Sequence, residues 1–215
     1  MKKYELTEET FTVFGKTLYR IRAVRDFGSV KTGEFGGYIE KEENLSHFGN
    51  AWISGDAWVY GDARVSGNAW AYGDARVFGN ARVSDNARVY GNAKVYGDAR
   101  VSGNAWAYGE VQVAGNAWIY GNARVSDNAR VYGNAEVFNT RHFFVQGPIG
   151  SRNGFVTFYR TKDNTVEVKC GCFLGSLQEF VNQVEKTHKG NKYEKEYKLA
   201  AELAKVCIRL EGESK

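Results

Sequence analysis

From Gly49 to Phe138 the chain repeats one pattern of apolar and polar positions every six residues, fifteen times without a break. The unit reads Gly-(Asn/Asp)-Ala-x-(Val/Ile/Ala)-x, as in Gly61-Asp62-Ala63-Arg64-Val65-Ser66. Its two apolar positions are two residues apart, and the next pair begins four positions further on. That spacing fits neither an amphipathic helix nor a long alternating strand. It predicts very short strands joined by tight corners, with Ala and Val inward and the x positions outward. Six residues bury too little by themselves, so each unit must stack on its neighbours as a solenoid. Ninety of 215 residues are assigned in this way.

Starting from the aliphatic residue, a unit becomes Val65-Ser66-Gly67-Asn68-Ala69-Trp70. This resembles the hexapeptide repeat of left-handed parallel β-helices. The resemblance implies three hexads per triangular coil, with residue i lying beneath residue i+18. The expected fold is mainly β: a left-handed parallel β-helix of about five 18-residue coils over residues 49–138. The eighteen-residue rule places Asn50, Asn68, Asn86, Asn104 and Asn122 in one column. Stacked asparagine amides form ladders along a β-stack.

The rule also sorts the outward residues. One column holds Trp52, Trp70, Arg88, Trp106 and Arg124; beside it run Ser54, Tyr72, Tyr90, Tyr108 and Ser126. Soluble monomers rarely leave so broad an aromatic stripe open. Trp52, Trp70, Arg88, Trp106, Tyr72, Tyr90 and Tyr108 are therefore assigned to a subunit interface, whose composition they match. A chain segment folded back from a terminus is the competing cover, and a carbohydrate- or base-stacking platform ranks third because stacking alone is unspecific. Arg88 is placed to stack on Trp70 and Trp106.

The remaining segments read as end pieces, which open β-stacks need over their pairing edges. In residues 1–48, Thr10–Phe14 and Thr17–Val24 alternate around Gly15-Lys16 and predict a β-hairpin, followed by an irregular segment and a partial coil near Asn44-Leu45. The stretch from Arg25-Asp26-Phe27-Gly28 to Gly36-Gly37-Tyr38-Ile39, with Gly49-Asn50-Ala51-Trp52, resembles the opening of bacterial and phage β-helix proteins described as hexapeptide-repeat transferases. In residues 139–215, Phe155–Arg160 and Thr165–Lys169 predict a second hairpin. Ser176-Leu177-Gln178-Glu179 has the form of a capping box opening a helix. A further helix runs to about Leu210, with Tyr193, Tyr197, Ala200, Ala204 and Ile208 on its buried stripe. This small α+β unit is expected to dock on the last coil or on another subunit.

Charge adds one distinction. Lys and Arg balance Asp and Glu at eight each in residues 1–48 and again in 49–138, whereas 139–215 hold 13 basic and 9 acidic residues. The surplus suits a small anion and falls short of a nucleic-acid-binding stripe. No apolar run spans a bilayer and no signal-peptide core follows Met1-Lys2-Lys3, so the expected location is the cytoplasm of a bacterial cell. Three cysteines fit a reducing compartment. Cys170-Gly171-Cys172 is read as two reduced thiols on one strand face, short of a zinc ligand set; no metal or cofactor is expected.

Hexapeptide-repeat acyltransferases work as trimers with a histidine base in an intersubunit cleft. Here the fifteen hexads contain no histidine; His47, His142 and His188 all lie outside them. The favoured anion site is the glycine-rich segment Gln146–Gly154: Gly147, Gly150, Ser151, Arg152 and Asn153, with Lys162 and His188 nearby. Accessible backbone N–H groups and an arginine fork suit phosphate or carboxylate. The expected protein is a non-catalytic homo-oligomeric scaffold, a trimer or a dimer, whose C-terminal unit binds a partner or a small anion such as a nucleotide. The phage resemblance points to sequestration of a host nucleotide signal. The alternatives are an acyl- or acetyltransferase acting at subunit clefts, and a structural virion component.

Overall fold

The computed structural model describes residues 2–211. Fifteen short strands, β4 (Trp52–Ile53) to β18 (Glu136–Val137), wind into three parallel walls. Strands starting at 52, 70, 88, 106 and 124 form the first wall, those at 58, 76, 94, 112 and 130 the second, and those at 64, 82, 100, 118 and 136 the third. Paired residues are eighteen apart, as in Arg88↔Trp70 and Lys94↔Gln112. The inward positions from Ala51 to Val131 have essentially no exposed surface and make one narrow core.

The corner column behaves as the register requires. Each asparagine amide donates to the next: Asn50 to Asn68, Asn68 to Asn86 and Asn86 to Asn104 at 3.1 Å, and Asn104 to Asn122 at 3.2 Å. Glycine fills most corners because φ there is positive. Asp85 and Asp127 are the exceptions, at φ 59 and 62.

At the first edge, carbonyls that point away from the stack need donors that no coil supplies. β3 (Phe35–Ile39) pairs in parallel with β5 (Trp58–Val59), Leu45 bridges Val65, and β1 (Tyr4–Val13) and β2 (Lys16–Ala23) extend this wall antiparallel. With this partial coil the solenoid makes about six turns. Where the backbone does not reach, side chains do. The Asn44 amide donates to Gly61 O at 3.0 Å and Ala63 O at 2.8 Å. Lys3 Nζ donates to Ala51 O at 2.7 Å and Gly49 O at 3.4 Å.

Lys3 is wholly buried, and burial, followed by the charge of Arg25, lowers its pKa from 10.5 to about 8. The folded value lies below the unfolded one, so the fold releases this proton first as pH rises. The cost of burying the charge is full below about pH 8 and is relieved on the way to 10.5. Wild-type stability should therefore rise relative to Lys3→Met between pH 8 and about pH 10. Tyrosine ionisation affects both proteins alike. Urea unfolding across this range checks the expectation, and parallel profiles would refute it.

The other end is closed by the C-terminal unit. β19 (Phe143–Ile149), β20 (Gly154–Arg160), β21 (Val166–Cys170) and β22 (Phe173–Ser176) form one antiparallel sheet. The sequence pattern predicts only the two central strands. β19 is obscured by Gly147-Pro148, which falls at a register shift between Gln146 and Ile149. Cys170 ends β21 and Gly171-Cys172 form the turn, because Gly171 takes φ +54, so the two thiols do not share a strand face; Cys172 is exposed there and not in a core.

β20 faces two ways. Val156 and Phe158 pack with Phe180, Val184, Ala200, Ala204 and Ile208 of the helical layer, while Tyr159 joins the solenoid core. The helices are α1 (Leu177–His188), opened by the Ser176/Glu179 capping box, and α2 (Lys192–Cys207), which ends three residues short of Leu210. Last-coil N–H groups find acceptors in this unit: Arg130 N donates to Thr157 Oγ1 at 2.9 Å and Phe138 N to His142 Nδ1 at 3.4 Å.

Candidate ligand cleft

Docking the C-terminal unit on the last coils leaves a cleft of about 490 Å³. The solenoid contributes Glu110, Gln112, Asn128 and Arg130. The β19–β20 turn contributes Ser151 and Arg152 and the start of β20 Gly154 and Phe155; the end of β21 contributes Cys170 and the β21–β22 turn Gly171 and Cys172. Thr187 and His188 come from the end of α1 and Tyr197 from α2. Three basic side chains, Arg130, Arg152 and His188, thus reach one cavity from three separate parts of the chain.

Several lining groups are already engaged. Asn92 donates to Glu110 Oε1 at 2.7 Å, and the Tyr132 hydroxyl donates to Gln112 Oε1 at 2.5 Å. His188 lies 5.6 Å from the Tyr197 ring, which fixes the imidazole against α2. Burial raises the Cys170 thiol pKa, against the opposing pull of Tyr197, Lys169 and Arg130. Burial, and then Cys170, pushes the Tyr197 hydroxyl up to about 12. Both groups stay protonated near neutrality, so Cys170 is no activated nucleophile. What remains free to meet a ligand is cationic and polar.

Of the seven residues assigned to the anion site, the fold brings Ser151, Arg152 and His188 into the cleft. Gly147, Gly150, Asn153 and Lys162 do not line it. Gly147 lies against Phe155, and the Gly150 N–H donates to Glu196 Oε2 at 2.7 Å, so a carboxylate of the chain itself holds that donor. Asn153 closes the turn through its N–H to Gly150 O, and the Lys162 N–H donates to Asn134 O on the last coil. Arg130 and Phe155 are the additions that sequence reasoning missed. Arg130 sits within the repeat as one of several outward cations, and nothing local distinguishes it.

The aromatic face differs from its expected form at one end. Trp52, assigned with the others to a subunit contact, has no exposed surface; Phe27 and Tyr4 cover it at ring distances of 5.3 and 6.5 Å. The N-terminal segment folds back over this first rung. Arg88 stacks on Trp106 at 5.1 Å, and Arg124 approaches the same ring at 4.5 Å, so Trp106 and not Arg88 is the clasped member. Tyr72, Tyr90 and Tyr108 stack on one another at 4.8 and 5.0 Å. The faces they turn to one another are consumed by this stacking, and the end faces of Tyr72 and Tyr108 take no part in it.

A family model described as the YdcK Beta solenoid repeat matches the chain at residues 57–73, 71–91, 81–94, 93–109, 117–133 and 123–137. These matches fall on the parallel walls. The chain is a β-solenoid repeat protein. No curated protein matches it. Among the described residues of this solenoid protein, no helix is long and apolar enough to cross a membrane. No group of three or more His, Cys, Asp or Glu gathers among them as a metal site.

Proposed function

We propose that this solenoid protein is a non-catalytic scaffold that holds a small anionic ligand of the nucleotide class between its last coils and its C-terminal unit. The observation that carries the reading is the meeting of Arg130, Arg152 and His188 around one cavity of about 490 Å³ beside the Phe155 ring. Two guanidinium groups suit phosphate oxygens, and an aromatic ring suits a base. Glu110 and Asn128, on the solenoid lining of the cavity, supply acceptors for sugar or base donors. The wall is a rigid support, since every core position is repeated and none is spare. Binding without turnover makes the protein a sequestering agent for its ligand.

Native mass spectrometry of the purified full chain tests this reading directly and also gives the subunit number. A bound anion should appear and be released unchanged on denaturation. Calorimetric titration with a nucleotide panel should then show Arg152→Ala weakening the best ligand by roughly tenfold or more, as loss of a charge-assisted contact requires. Unaltered affinity in Arg152→Ala sinks the proposal. Turnover of an acyl-coenzyme A donor would instead establish the transferase alternative.

A further inference from the structure

On each wall a second outward column runs beside the strands, and where its rings follow one another they stack. In the first wall the stack is Tyr72, Tyr90 and Tyr108, with adjacent planes within 4° of parallel. The next position in the column is Ser54, whose short side chain leaves the face of Tyr72 without a rung. A hollow of about 370 Å³ lies there, lined by Ser29, Ser54, Trp70, Tyr72 and Arg88.

The other two walls contain the same kind of gap, and in both the protein fills it. On the third wall Ser102 precedes Tyr120. Trp118 swings over, resting on Tyr120 at 4.4 Å and donating its Nε1–H to Ser102 Oγ at 3.0 Å. On the second wall Ala114 interrupts the column. Tyr132 leans into the space, its hydroxyl 2.9 Å from that of Tyr96. Trp70 occupies the position on the first wall that Trp118 holds on the third, two residues before the tyrosine. It packs instead against the solenoid core. Among the described residues no ring occupies the gap at Ser54, and of the two ends of this tyrosine stack, Ser54 and Ser126, it is the Ser54 end that carries the hollow.

We infer that the Ser54 hollow binds a planar heteroaromatic anion, stacked on Tyr72 as the next rung of the ladder. Its ring N–H donates to Ser54 Oγ, as the Trp118 indole does to Ser102. Its acidic group pairs with the exposed Arg88 guanidinium, which lies against the Tyr72 hydroxyl. Offset stacking on a tyrosine and a charge-assisted hydrogen bond are the two attractive contacts. Anionic indoles and guanine nucleotides share this chemistry, since both carry a ring N–H and an acidic group. This site lies on the first wall, away from the cleft of the C-terminal unit, and does not depend on it.

The test uses the full chain and isothermal titration with indole-3-acetate, with guanosine monophosphate as the second arm. The arm that binds more tightly identifies the source of the ring. Wild-type protein should bind one of them in the millimolar range or tighter. Ser54→Tyr supplies the missing rung from the chain itself and should abolish binding while its melting temperature stays at or above that of the wild type. Arg88→Gln should weaken binding roughly tenfold. Arg152→Ala should leave it unchanged, which separates this site from the cleft. No binding of either probe to the wild type, or unaltered binding in Ser54→Tyr, overturns the inference.

Discussion

Gly103→Val is expected to destabilise the solenoid by about 3 kcal/mol or more, because a β-branched residue is forced into a left-handed backbone conformation and against a neighbouring coil. Gly103 has φ +65, and a Cβ added there would stand 2.9 Å from Gly121 N and 3.1 Å from Gly121 O. Both contacts are backbone, so nothing flexible can give way. The neighbouring coil shows what the corner tolerates. Asp85 occupies the same column at φ 59, and its Oδ2 accepts the Gly103 N–H at 2.9 Å. An aspartate thus offsets its strain with a hydrogen bond to the next corner. Gly103→Asp should accordingly cost only about 1 kcal/mol, since it can accept from Gly121 in the same way. Urea denaturation of the three proteins resolves the difference. A valine variant within 1 kcal/mol of wild type would mean that the corners relax, and that stacking register does not depend on glycine.

The walls were legible in the sequence because the eighteen-residue register applies to every coil alike. Asn50 and Asn122 could be placed in one ladder without knowing anything about the ends. The Ser176 box was legible for a similar reason, since capping is local to four residues. What the sequence concealed lies where equivalence fails. Trp52 belongs to the same column as Trp70 and Trp106, yet only Trp52 meets Tyr4 and Phe27. Lys3 closes an edge formed by carbonyls 46 and 48 residues away, and no short-range signal marks that role. In the C-terminal unit Gly147 and Pro148 hid β19, and with it the way the sheet turns one face to the solenoid. The cleft shares this history. Ser151, Arg152 and His188 stood out as polar groups in a basic segment, whereas Arg130 became a cleft residue only once β20 docked beside it.

Arg160 is the most deeply buried ion-pair member among the described residues, and it sits at that docking contact. Its side chain is 3% exposed, at the end of β20. Nη1 donates to Glu136 Oε2 at 2.8 Å on the last coil, and Nε donates to Asn164 Oδ1 at 3.1 Å. Nη2 lies 3.1 Å from Glu211 Oε1, and the guanidinium rests 5.0 Å from the Phe138 ring. Arg160→Met would keep much of the packing but leave Glu136 facing the interface with only the Tyr120 hydroxyl as a partner. Breaking one side of a buried pair costs about 3–5 kcal/mol, mostly through the charge left behind. That loss should fall on the contact between the C-terminal sheet and the last coil, so amide exchange should accelerate in β19–β22 well before it does in the central coils. The double variant Glu136→Gln/Arg160→Met removes the stranded charge and should regain a large part of the stability. If the single variant loses less than about 1 kcal/mol, or if its central coils exchange as readily as the C-terminal sheet, Arg160 is not what ties this unit to the wall.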